Sequence, residues 1–149
     1  MDVCCLNRPF DDQGQHRIRL EAAAVVVVLS LAESGKVEWI GSEGIDLEVD
    51  MNPDVERRRW LAALAGQVRT TVRVEDRQQV RARELERSGF GAYDALHLAC
   101  AETARADVSL TTDDRLLRRA ARPGVSVGVE VRNPLRWVEE VLGLWLTTG

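Results

Sequence analysis

Gly91-Ala92-Tyr93-Asp94-Ala95-Leu96-His97-Leu98-Ala99-Cys100 is the stretch on which the fold turns. Read as a helix over 93–105, it places Ala95, Leu96, Leu98, Ala99 and Cys100 on most faces. A helix that is apolar on most faces is a buried one. Working outward from it, 108–111 reads as a strand, 114–122 as a helix, 125–131 as a strand and 134–144 as a closing helix. Upstream, 75–88 is a charged helix stopped by Gly89, and 70–74 is strand-like. Asn52-Pro53 opens a helix that ends near Gly66, with Pro at its first position. Ser42 caps a helix running to about Met51, and 37–41 is a short strand. Over 16–34, Leu20, Ala24, Val27 and Leu31 share one helical face and Gly35 ends the run. The β-branched Val25-Val26-Val27-Val28 also suits a strand there. Strands that alternate with helices imply a parallel sheet covered on both faces, an α/β sandwich.

The 149 residues, 45% of them hydrophobic, suffice for one domain over 1–149 with its own core. The longest apolar run, 22–29, is far too short to span a bilayer, so no membrane association is expected. Neither the basic nor the apolar region of a signal peptide is present, and a cytoplasmic location is the expectation. Cys4, Cys5 and Cys100 are odd in number and form no Cys-x-x-Cys pair, which argues for buried reduced thiols and against structural zinc. No glycine-rich phosphate loop is present. The net charge of −4 is not that of a basic nucleic-acid binder, but an acidic metal site contributes to it, and nearly all the cations are arginine.

Four acids are candidates for chemistry, each with an ordinary structural reading beside it. Asp94 opens the buried helix, where a carboxylate also suits the helix dipole. Asp113 follows a strand in Leu110-Thr111-Thr112-Asp113-Asp114, at the carboxyl edge where active residues of parallel sheets collect. It is equally a cap for the next helix, a task that Asp114 is also placed to perform. Glu48 lies in Ile45-Asp46-Leu47-Glu48-Val49-Asp50, which alone reads as a solvated acidic face. Asp2 alone reads as part of a frayed terminus.

Taken together, Asp2-Val3-Cys4-Cys5-Leu6-Asn7-Arg8-Pro9-Phe10, Ser42-x5-Glu48, Asp94-Ala95-Leu96-His97-Leu98-Ala99 and Leu110-Thr111-Thr112-Asp113 resemble the PIN-domain family, and its VapC-like members most. The resemblance covers nearly the whole chain. It implies a three-layer sandwich with a central parallel sheet flanked by helices. It implies that Asp2, Glu48, Asp94 and Asp113 meet at the carboxyl edge as catalytic and metal-binding residues, with Thr111 and Asp114 in support. Asp114 and Glu43 are close enough in sequence to be confused with true members of the set. The implied activity is metal-dependent ribonuclease action on RNA phosphodiesters, as the toxin of a type II toxin–antitoxin pair, with an antitoxin as partner. Hard carboxylate oxygens suit Mg²⁺ or Mn²⁺, which activate water and neutralise phosphoryl charge. His97, one turn after Asp94, reads as a hydrogen-bonded core histidine.

Arg115, Arg118, Arg119 and Arg122 follow Asp113 at helical spacing and are candidates for RNA phosphate contacts, or an ordinary solvated face. Arg57-Arg58-Arg59 reads as solvated surface. Trp137, Leu144, Trp145 and Leu146 suggest a homodimer or partner surface, or simply core. Two other functions compete. One is a catalytically impaired PIN-like module that binds RNA or protein. The other is an unrelated Mg²⁺ phosphatase, which needs a second Asp two residues after its nucleophile, whereas Asp2 is followed by Val3 and Cys4. The family places a buried strand before its first acid, and here only Met1 precedes Asp2. The expectation is that translation starts upstream or the strand is lost. In the second case residues 1–6 slide into the resulting slot and carry Asp2 away from the other acids.

Overall fold

The computed structural model describes residues 1–148, with side chains described through residue 143. In chain order the elements are α1 (Val3–Asn7), a 3-10 turn (Arg8–Phe10), α2 (His16–Glu33), β1 (Ile40–Ser42), α3 (Glu43–Asp50), α4 (Val55–Ala65) and β2 (Thr70–Val72). They continue with α5 (Asp76–Arg87), α6 (Ala92–Thr103), β3 (Val108–Leu110), α7 (Asp114–Ala120), β4 (Glu130–Arg132) and α8 (Pro134–Thr148). The fold is mixed α/β with parallel strand pairing, as the alternation of elements implies.

The expected continuous sheet is interrupted. β1 pairs only with β2, and β3 only with β4, giving two separate two-stranded parallel sheets. A cavity of about 440 Å³ lies between them, with Ile40–Ser42 on one side and Val108–Leu110 on the other. Cys100, Ala101 and Ala104 of α6, Val28 of α2 and Trp137 of α8 complete its walls. Helices thus cover the gap as they would cover a sheet. Residues 1–6 do not fill it. Met1 reaches its wall, Asp2 N–H donates to Leu110 O at 3.0 Å, and the chain then turns into α1. The turn is fixed by Asp2, whose Oδ1 accepts from Cys5 N–H at 3.0 Å, and by full burial of Cys5 and Leu6. A capped, buried helical turn outcompetes the extended path expected for these residues, and Asp2 stays beside the other acids.

Other expectations shift for local reasons. α2 is a helix throughout, but its buried face is Glu21, Ala24, Val25, Val28 and Leu31, and Leu20 is exposed. The rotation follows from Glu21, drawn inside by Arg8 (3.2 Å) and Asn133 (2.6 Å). β1 starts at Ile40 because the N–H groups of Lys36 and Val37 are turned back onto Leu31 O. α4 is capped by Asp54, accepting from Arg57 N–H at 3.1 Å, so Pro53 precedes the helix. The strand expected over 125–131 is confined to Glu130–Arg132. Upstream of it, Ser126 O accepts from Arg81 and Gly128 N–H donates to Glu102, which takes that backbone out of any ladder.

Three clusters form the core. α5 and α6 pack through Leu85, Ala95, Leu98 and Ala99 with Leu116 of α7. α2 and α8 meet through Val25, Val28 and Val138, joined by Cys5 and Leu110. α1, α3 and α4 meet through Val3, Leu6, Ile45, Val49 and Leu61. Cys5 and Cys100 are buried thiols as expected, whereas Cys4 is exposed. Trp137 is half-buried against the cavity, not on the surface, while the side chains of Leu144, Trp145 and Leu146 lie outside the described residues. Among the described residues no helix is long and apolar enough to cross a membrane.

Candidate metal centre

Each of the four acids is placed by a strand end or a helix start. Ser42, at the end of β1, caps α3 by accepting from Ile45 N–H at 3.1 Å, which starts the helix that carries Glu48. Asp94 sits in the first turn of α6. β3 ends at Leu110, and Thr111 and Asp113 follow. Asp113 caps α7, its Oδ1 accepting from Arg115 N–H (2.9 Å) and Leu116 N–H (3.4 Å). Asp2 is tied to the same strand end through Leu110 O.

Thr111 links two of the acids. Its Oγ1 accepts from Asp113 N–H at 3.0 Å, and its hydroxyl favours the charged form of the Asp2 carboxyl against the effect of burial. Asp114, expected in support, is engaged elsewhere: Arg17 grips it with two 2.7 Å bonds, which hold its carboxyl below the usual range. The expectation that Asp114 caps the helix and frees Asp113 is therefore reversed. Glu43 faces outward, 4.0 Å from Arg73. His97 is a buried, hydrogen-bonded histidine, and its partner is Glu48, with Nε2 3.1 Å from Oε2.

The electrostatics mark the cluster. Burial raises the Asp94 pKa to about 6, and the charges of Asp2, Asp113 and Glu48 add to the rise. Asp2 is raised too, chiefly by burial, against the hydrogen bonds from Thr111 and Cys5. Cys4 is accessible but hemmed in by carboxylates. Its thiol is pushed up to about 12, by desolvation and then by Asp2, Asp113, Glu48 and Asp94, so it stays protonated. Among the described residues, the buried side-chain polar atoms without a hydrogen-bond partner are Asp2 Oδ2, His97 Nδ1 and Thr112 Oγ1. All three belong to this region, and such atoms are costly unless something satisfies them. Asp94 and Cys4 thus register the charges of the other acids. Even so, among the described residues no three or more Asp, Glu, His or Cys side chains stand close enough together to hold a metal ion as they are placed.

A polar cleft of about 700 Å³ opens beside Asp113. Arg115 and Arg118 line it, but Arg119 and Arg122 do not. The Arg119 guanidinium lies against Gly89, where a Cβ would come within 2.1 Å of it, and Gly89 needs its positive φ of 99° to end α5. The predicted stripe of four is thus a pair. The opposite wall carries Asn7, Arg8 and Arg57, to which the sequence alone assigned no site role. Arg57 is not loose surface: it donates to Asn7 Oδ1 (3.0 Å), Asp11 Oδ1 (3.0 Å) and Phe10 O (2.9 Å). The signal for it was the Asn-Arg-Pro-Phe string, whose turn at 8–10 supplies the carbonyl that Arg57 grips.

The chain matches no family model, no curated protein and no solved structure.

Proposed function

We propose that this protein is a Mg²⁺- or Mn²⁺-dependent endoribonuclease of the PIN type. The observation that carries the reading is the convergence of Asp2, Glu48 and Asp113 on the half-buried Asp94, whose pKa is raised first by burial and then by their charges. Four carboxylates drawn from separate segments to one strand-end region are unfavourable by themselves and favourable around a cation. The residues fit such a group in kind: all donors are hard oxygens, and Asp2 Oδ2 is buried without a partner. Their present spacing is wider than a metal ion's ligand shell, so the carboxylates would have to draw inward to hold one. Two separate parallel pairs with a helix-walled gap between them support a three-layer sandwich whose central strand position is open.

Asp2, Glu48, Asp94 and Asp113 would hold the ion. When bound, it lowers the pKa of a water and offsets charge on the phosphoryl oxygens. Thr111, whose Oγ1 accepts from Asp113 N–H, fixes the turn that presents Asp113. Asp94, with a pKa of about 6, is mostly ionised near neutral pH and would offer the ion a carboxylate. Arg115 and Arg118 face the cleft and would seat backbone phosphates of the RNA. A toxin role, with an antitoxin that covers this cleft, and a homodimer are further parts of the proposal. A second reading, a PIN-like module that binds RNA or protein without cleaving it, is favoured by the wide spacing of the acids.

Incubation of mixed-sequence RNA with the protein, in Mn²⁺ and in EDTA, separates the two readings. The nuclease cleaves in Mn²⁺ and not in EDTA; binding without cleavage in Mn²⁺ supports the second reading. Replacing both Arg115 and Arg118 by Gln lowers the slope of log affinity against log salt by roughly one per lost phosphate contact, across all RNA sequences. The same replacement at Arg119 and Arg122 leaves the slope unchanged. Equal effects from the two pairs, measured by salt-dependent RNA binding, would mean that the cleft does not select the contacts.

A further inference from the structure

The cavity between the two sheets is bounded on both sides by strand edges. β1 pairs with β2 alone, and β3 with β4 alone. A strand turns about half of its backbone N–H and C=O groups to each side. Both inner edges therefore present polar groups to the cavity. The rest of the wall is helical and largely apolar, with Cys100, Ala101 and Ala104 from α6, Val28 from α2 and Trp137 from α8. At about 440 Å³ the cavity is no packing defect, since one water takes up roughly 30 Å³. Backbone edges at the sides and apolar helices around them are the surroundings of a central strand.

The cavity also has a direction. Gly44, just after β1, approaches His97, and the charge of His97 acts on Asp2, which is bonded to the end of β3. The two strands thus end on the same side. That end is closed: Ser42, Leu110, Asp2 and His97 line it and are all buried. Asp2 N–H already occupies Leu110 O there. The other end, beside the residues that lead into β1 and β3, is rimmed by Lys36, Glu38, Arg105 and Asp107, all exposed and of mixed charge. A hydrocarbon in this space would leave both edges unmet, whereas a peptide brings an N–H and a C=O with every residue.

We propose that the cavity is a peptide-binding site. An extended apolar segment of another polypeptide, about five residues long, enters at the exposed end and lies parallel to β1 and β3 as the strand between them. Hydrogen bonds to both edges hold its main chain. Its side chains are apolar without alternation, as in strands covered by helices. The inference rests on the open strand position and not on the metal-site reading.

The probe is a synthetic peptide of five alternating Val and Ile residues that carries a fluorescent tail containing Ser and Lys. It is added to the full chain in EDTA, and binding is read by anisotropy and by the melting temperature of the protein. With the tail at the peptide's N-terminus, parallel insertion leaves the tail outside at the exposed end. Saturable binding and a raised melting temperature are expected. With the tail at the C-terminus, the closed end obstructs it, and affinity should fall at least about tenfold. Methylating alternate backbone nitrogens keeps the side chains and removes the N–H groups aimed at one edge. The loss of two or three hydrogen bonds should also cost at least about tenfold. Ala101→Leu, which fills part of the cavity from α6, should weaken binding as well. The contrasts between peptides use the wild type alone, so they decide the matter even if that variant misfolds. No binding of the N-terminally tailed peptide would overturn the proposal, and so would equal affinity for the two tail positions. Equal affinity of the methylated peptide would make the cavity a mere apolar pocket. Unchanged affinity in a folded Ala101→Leu would place the peptide elsewhere on the protein and overturn the proposal too.

Discussion

Asp94→Asn is expected to abolish metal-dependent RNA cleavage, by at least about a hundredfold, while making the metal-free protein more stable near neutral pH. The two effects have one origin. The substitution keeps the shape of the side chain and removes a charge that the metal needs and the empty cluster resists. Burial, and then Asp2, raise the Asp94 pKa from 3.8 to about 6. The folded state therefore holds this proton more tightly than the unfolded state does. The stability it contributes is complete below pH 3.8 and is lost as pH rises through about 6. At pH 7 the metal-free variant should exceed the wild type, by roughly 1 kcal/mol once solvent screening of the partly exposed carboxyl is allowed for, and at pH 4 the two should converge. Asp2, raised in the same direction, adds to the wild-type loss. Urea melts in EDTA at the two pH values read this directly. A large drop in the stability of the variant at pH 7 would instead make Asp94 a structural cap of α6. Undiminished cleavage would remove it from the metal site.

The second large effect concerns the gap between the sheets. Five apolar residues fused ahead of Met1 should enter the cavity as a strand parallel to β1 and β3. The Asp2 N–H to Leu110 O bond already supplies the first rung beyond that strand. The inner edges of β1 and β3 pair with no strand, and backbone groups there need partners that an extended peptide provides. Burying an apolar side chain contributes about 1.5–3 kcal/mol, against roughly 1.5 kcal/mol per residue for ordering it. A net gain of a few kcal/mol raises the melting temperature of a domain of this size by roughly 5–10 °C. Five Gly and Ser residues in the same place should give no gain. Equal melting temperatures for the two extensions would show that the cavity does not accept a strand.

The order of elements was legible because it rests on local signals. Ser42 caps α3, Gly89 stops α5, and the apolar wheel of 93–105 gives a buried α6. Strand pairing was less legible, since partners across a sheet leave no periodic trace in either strand. The separation of β1 from β3 is visible only in three dimensions. Side chains that bond at long range also misled the reading. Glu21 looks like surface until Arg8 and Asn133 are seen to claim it, and Arg57 looks solvated until Phe10 O and Asp11 are in view. At the site, the pattern of acids picked out residues whose charges reach Asp94, and Thr111 as the acceptor for Asp113 N–H. It could not tell Asp113 from Asp114 as the cap of α7, because the deciding partner, Arg17, lies 97 residues away in sequence.

We propose that Asp2, Glu48, Asp94 and Asp113 together form a divalent-cation site in the folded chain. The most direct measurement is the melting temperature of the wild type as Mn²⁺ is titrated from zero, with Asp94→Asn alongside. A ligand that binds only the folded state stabilises it by mass action, by about 2.7 kcal/mol at a hundred times its dissociation constant. The expected melting temperature rises steadily with Mn²⁺ in the wild type and stays nearly flat in Asp94→Asn. A flat wild-type curve up to millimolar Mn²⁺, or equal rises in both proteins, would contradict it.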